Sequence, residues 1–120
     1  MSDRRGCQGQ RGAATAELAL CLPLLVSLTI GLVWLLSVGE TQVRIIDAAR
    51  EAARAVARGD VSGSAVTRAR EVAPGSTVTV TVEDGEVVAT ATDSVGGPGG
   101  LFGFLPPVQL RARAVAAEES

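Results

Sequence analysis

The chain has 120 residues, 47% of them hydrophobic but only 2% aromatic, with 11 basic and 13 acidic side chains and a net charge of -2. So even a balance with so few rings excludes a nucleic-acid binder built on a basic groove and stacking platforms. There is no histidine, and the acidic residues fall in turns and on helix faces rather than in pairs, so neither catalysis nor a bound cofactor or metal is expected.

The first 12 residues carry Arg4, Arg5 and Arg11 against Asp3 alone, which suits a short cytoplasmic leader. Residues 18–39 then run without a charge. At about 1.5 Å per residue this run covers roughly 33 Å as a helix, enough to cross a hydrocarbon core of about 30 Å. Glu17 stands against the first apolar residues, where a carboxylate is costly without a partner or a purpose. The positive-inside rule does not orient the span, because Arg44, Arg50, Arg54 and Arg58 follow it as closely as the leader arginines precede it. Pro23 removes one backbone donor inside the run and is expected to kink or loosen the helix there. Cys7 and Cys21 fall in the leader and in the run, so no intrachain disulfide is expected in a processed chain. Leu20, where a lipidation site needs a small residue, argues against acylation of Cys21.

From Thr41 to Arg58 neither glycine nor proline occurs, and alanine and arginine are good helix formers, so the helix is expected to begin near Ala13 and end at Gly59-Asp60. Arg44, Asp47, Glu51, Arg54 and Arg58 recur at steps of three and four as a charged stripe. Val43, Ile46, Ala49, Ala53 and Val56 or Ala57 form an apolar one. The apolar side fits packing on a globular part, and the charged side fits solvent or neighbouring copies of the chain.

Residues 62–73 are predicted as a second helix, capped by Ser62 or Ser64 and stopped by Pro74-Gly75. The period then changes to two, with Val78, Val80 and Val82 alternating with threonines, and Asp84-Gly85 supplies a two-residue hairpin turn before a returning strand over 87–92. Gly96-Gly97-Pro98-Gly99-Gly100 is a loop by composition, without the lysine and hydroxyl residue of a phosphate loop. It leads into Leu101-Phe102-Gly103-Phe104-Leu105, a cluster suited either to packing under the sheet or against the long helix, or to an exposed partner patch. A third strand is predicted over 108–116, where Val108, Leu110, Ala112, Ala114 and Ala116 alternate with polar residues. The expected fold is α+β: a basic N-terminal segment over 1–12, a long helix over 13–59 containing a transmembrane segment over 18–39, and a small module over 60–120. That module is a small antiparallel sheet of about three strands against the helix, with a Gly/Pro-rich loop over 93–107.

Arg11-Gly12 followed by Ala13-Ala14-Thr15-Ala16-Glu17 resembles the cleavage site of type IV prepilins, cut after glycine with glutamate fifth in the mature chain. With Leu18-Ala19-Leu20, Pro23 and Asp47-Ala48-Ala49-Arg50-Glu51-Ala52-Ala53-Arg54, the set resembles the TadE-like proteins, minor pilins or pseudopilins of the tight-adherence (Tad) branch of type IV pilus systems. The resemblance covers about residues 10–58. It implies that a membrane-embedded prepilin peptidase cuts the Gly12-Ala13 bond on the cytoplasmic face, leaving the leader inside and the module outside. It also implies assembly roles for Glu17 and Pro23, with Glu17 neutralising the new Ala13 amine of an adjacent subunit. Arg44, Asp47, Arg50, Glu51 and Arg54 would form a helix face toward partner pilins. The implied partners are the peptidase, other pilin and minor pilin subunits, the pilus assembly membrane platform and membrane lipid, with no nucleic acid. Leu18 replaces the aromatic residue that often follows the glutamate in major pilins, which favours a minor or accessory subunit.

Two other readings compete. Ser37-Val38-Gly39 has the small residues favoured by signal peptidase, so a secreted protein could begin at Glu40, although Glu17 and Pro23 interrupt the apolar region such a signal needs. The third is an uncut single-pass membrane partner subunit.

Overall fold

A computed structural model describes residues 3–99 and 102–119, with side chains from Gly9 onward. Gly100 and Leu101 of the predicted loop therefore lie outside the described residues, as do the side chains of Arg4, Arg5 and Cys7. Helix α1 spans Asp3–Ala57, 55 residues or about 82 Å. It begins well before the Ala13 expected from the sequence. Gly6, Gly9 and Gly12 each cost roughly 1 kcal/mol relative to alanine, but they extend an already nucleated helix among arginine and glutamine, which favour it. The helix also runs on through Pro23.

The distal end of α1 closes with a Schellman motif. Gly59 has φ +100°, its N–H donates to the Val56 carbonyl at 2.9 Å, and the Asp60 N–H donates to the Ala55 carbonyl at 3.0 Å. Helix α2 follows at Ser62–Val72. Its N-cap is Val61 rather than Ser62 or Ser64, which lie inside the first turn. The Ser64 hydroxyl bonds back to the Val61 carbonyl at 2.9 Å and so leaves the helix's free N–H groups uncapped by a side chain.

Strands β1 (Thr77–Glu83), β2 (Glu86–Val95) and β3 (Val108–Ala117) form an antiparallel sheet in that order. Asp84 and Gly85 both have positive φ, 51° and 79°, which a type I′ turn between β1 and β2 requires. The β2 strand extends three residues past the predicted Thr92, because Asp93, Ser94 and Val95 pair with Leu110, Gln109 and Val108. Pairing aligns Val78, Ala91 and Ala112 in one row, Val80, Ala89 and Ala114 in the next, and Val82, Val87 and Ala116 in a third. These rows face α1. The result is the α+β arrangement read from the sequence, a long helix packed on a small three-stranded antiparallel sheet.

The core between α1, α2 and the sheet is mostly alanine: Ala48, Ala49, Ala52, Ala53 and Ala55 from α1, Ala65 and Ala69 from α2, and Ala89, Ala91 and Ala112 from the sheet. Small side chains let the helix axis come close to the sheet. Ile45 and Val87 are the largest fully buried side chains. Of the expected apolar stripe, Ala49, Ala53, Val56 and Ala57 are buried and Ile46 packs against them, whereas Val43 is 58% exposed; on the sheet, Val82 is 48% exposed at the margin.

Candidate assembly stem and leader junction

Along α1 the surroundings change in three stages. Arg11, Gly12, Ala13 and Glu17 are all exposed, and Glu17 makes no ion pair among the described residues. The Thr15 hydroxyl donates to the Arg11 carbonyl at 2.9 Å, bridging the Gly12-Ala13 bond within the helix. A Cβ added at Gly12 would meet nothing within 4 Å. The junction is thus helical but otherwise unpacked.

From Leu18 to Ile30 the helix presents leucine, valine and isoleucine to the outside on every face, and the most apolar window of α1 is 0% buried in the chain's own fold. That surface is long and apolar enough for a membrane crossing. The Ser27 hydroxyl donates to the Pro23 carbonyl at 2.8 Å, and the Thr29 hydroxyl to the Leu25 carbonyl at 2.9 Å, so the polar side chains of the stem are satisfied by its own backbone. Proline at position 23 removes the donor that would reach the Ala19 carbonyl.

The third stage begins at Gly31, where the module meets the stem. The Trp34 indole N–H donates to the Gly96 carbonyl at 2.7 Å. The Phe102 ring lies over Gly31, where an added Cβ would stand 3.6 Å from it, an ordinary contact distance. Leu28, Leu32 and Leu35 complete the apolar seat for Pro98, Phe102 and Leu105. Of the phenylalanine cluster, Phe102 packs on the long helix, whereas Phe104 is 79% exposed. Trp34 was not singled out from the sequence, although a lone tryptophan near one end of an uncharged run is the usual mark of a membrane interface.

On the charged stripe, Asp47, Arg50 and Arg54 are exposed and Glu51 is half-buried. Arg44 is exposed and pairs with Glu40 one turn earlier, an i,i+4 pair worth little at the surface. Among the described residues none of Asp47, Arg50, Glu51 and Arg54 joins an ion pair. The second ion pair, Arg68 to Asp60 at 3.1 Å, ties α2 to the turn after α1. The partner-face residues thus share an outward side of α1 but are not brought together with Glu17, which lies about 40 Å down the same helix from Arg44.

Residues 12–54 match the model of a family described as TadE-like protein. A Mycobacterium tuberculosis (strain ATCC 25618 / H37Rv) protein named Apoptosis inhibitor Rv3655c is 40% identical over 104 residues, which is 86% of this chain and 77% of that relative. The chain belongs to the TadE-like family. Membership ties it to Tad pilus systems, and its long apolar N-terminal helix fits a membrane-anchored pilus protein. The family match runs from the Gly12 junction through the stem to Arg54 and stops before the sheet. No solved structure matches this TadE-like chain.

Proposed function

We propose that the chain is a structural minor pilin or pseudopilin of a Tad pilus, held in the cytoplasmic membrane by residues 18–39 with the module outside, and cut by prepilin peptidase between Gly12 and Ala13. The observation that carries this reading is the stem itself: apolar on every face, free of its own module from Leu18 to Ser27, and matched by the family from Gly12 onward. Such a surface needs lipid before assembly and neighbouring stems after it. Cleavage creates an ammonium on Ala13, and in a low-dielectric bundle of stems an exposed Glu17 carboxylate from the next subunit is its natural partner. The pairing would fix axial register between subunits. Arg44, Asp47, Arg50, Glu51 and Arg54 then face partner pilins, and the assembly platform receives the subunit from the membrane. The role is structural rather than enzymatic.

A second reading follows from the mycobacterial relative's name, that this chain too inhibits apoptosis, which would suit a module released after Gly39. The geometry weighs against release there. Gly39 lies inside α1, and a cut after it would remove Gly31 and Trp34, the residues that seat Phe102 and Gly96. N-terminal analysis of the protein from its own host separates the readings: a chain starting at Ala13 is expected, a start at Glu40 supports release, and retention of Met1 or Ser2 supports an uncut anchor. Either of the last two outcomes overturns the pilin assignment.

A further inference from the structure

The stem and the module overlap along α1, and the overlap decides where the module sits relative to lipid. Counting from Glu17, a hydrocarbon core of about 30 Å takes up roughly 20 residues of helix, to about Ser37, and any tilt lengthens that stretch. Yet the module's loop is already seated on Leu28, Gly31, Leu32, Trp34 and Leu35. If the span is drawn deeper to clear the loop, Glu17 goes into the hydrocarbon. Keeping the carboxylate at the inner boundary puts the loop's seat in the outer leaflet, from about 16 Å above Glu17 at Leu28 to about 27 Å at Leu35.

The chemistry of the loop agrees with that placement. No charged residue occurs between Asp93 and Arg111, a stretch that holds both phenylalanines of the chain. Its described turns are satisfied internally, with the Phe102 N–H on the Gly99 carbonyl at 3.1 Å and the Leu105 N–H on the Phe102 carbonyl at 3.0 Å. Phe104, Pro106 and Pro107 are exposed there. At the opposite end of the module the Asp84-Gly85 turn and Glu118 meet, with Glu83, Glu86 and Glu119 nearby, and the Glu119 N–H donates to the Ala57 carbonyl. One end of the module is uncharged and the other is acidic, and the uncharged end is the one beside the stem's apolar run.

We infer that the Gly96–Gly99 and Phe102–Pro107 segments form a lipid-contacting foot, with Phe104 inserted at the interface of the outer leaflet and the module held upright on the bilayer. Trp34 shares that level as the anchoring indole. The inference rests on the membrane reading of the stem. It goes beyond it by giving the module its own lipid contact.

The test uses the full chain with Cys7→Ser and Cys21→Ala, reconstituted in phosphatidylcholine/phosphatidylglycerol vesicles. An NBD fluorophore is placed on a single cysteine at Leu25→Cys, Phe104→Cys or Glu83→Cys, and lipids carrying a nitroxide at shallow or deep positions of the acyl chain act as quenchers. Position 104 is exposed, so the label disturbs no packing. The expected result is at least twofold quenching at 104, stronger from the shallow nitroxide, with the deep nitroxide strongest at 25 and little quenching at 83. If 25 is quenched while 104 behaves like 83, the foot is overturned and the anchor stands. If 25 itself is unquenched, the anchor fails and the foot with it. Shielding at 104 that grows with protein density but ignores lipid nitroxides means that a second copy covers the patch, which also overturns the proposal.

Discussion

Glu17 is exposed and has no ion-pair partner among the described residues, so its removal tests a role between subunits without disturbing a contact described within the fold. Glu17→Ala is expected to leave the N-terminus of the processed chain at Ala13 and to reduce surface pili severalfold, read by N-terminal sequencing and by immunoblot of the sheared filament fraction. Gly12→Leu tests the other half of the junction. Nothing lies within 4 Å of a Cβ there, so blocked processing in that variant is not a folding defect. Deeper in the chain, Ile45→Ala removes one of the largest fully buried side chains and is expected to destabilise the module by about 2 to 5 kcal/mol in denaturant titrations of the micelle-bound protein. The sequence pointed to Val43 rather than Ile45. Apolar residues at 43, 45 and 46 fall within one turn of the helix, and no local signal says which of them turns toward a sheet more than 30 residues away. Glu17, by contrast, was legible because a charge beside an uncharged run is conspicuous on its own.

At the level of elements, local chemistry and tertiary packing divided the legibility between them. The Asp84-Gly85 turn, the period-two strands and the Gly59 helix stop follow from rules acting over a few residues, and the structure has all three. The last residues of β2 depend on what β3 offers, while the start of α1 and the Val61 cap turn on margins of helix propensity too small for composition to reveal. Gly85→Val forces a β-branched residue to positive φ and is expected to cost about 1 to 2 kcal/mol, seen as a lowered thermal midpoint of the module. The alanine interface makes a second demand at this scale. Ala52 is fully buried where α1 meets the core, so Ala52→Leu is expected to destabilise by about 1 to 3 kcal/mol through overpacking, whereas Ala→Leu at an exposed helix position has no such effect. A comparison of the two thermal midpoints checks it. The docking of Phe102 beside Gly31 belongs to the same class of packing facts, since nothing near Gly31 in sequence announces a ring that arrives from about 70 residues away.

At the scale of the whole molecule, one 55-residue helix carries the Gly12-Ala13 bond, the apolar stem and the platform for the sheet, in a body 93 Å long and about 22 Å across. Its charged face is left to the outside. Arg50→Glu with Arg54→Glu is expected to change module stability by no more than about 0.5 kcal/mol, as for most surface substitutions, while lowering pilus assembly. Normal pili in that strain would remove the partner face from the proposal. The layout also bears on how the molecule carries load. One end of β2 and β3 lies beside Trp34 and the other beside Ala57, and the ten residues of β2, about 31 Å as a strand, match the roughly 35 Å of helix between those two residues. The strands therefore run alongside the helix axis. When the stem is drawn out of a membrane, tension along it loads the whole alanine seam at once, as shear, instead of peeling it open row by row. Stem and module would then move as a single strut, with the Trp34 to Gly96 bond at the end that feels the pull first.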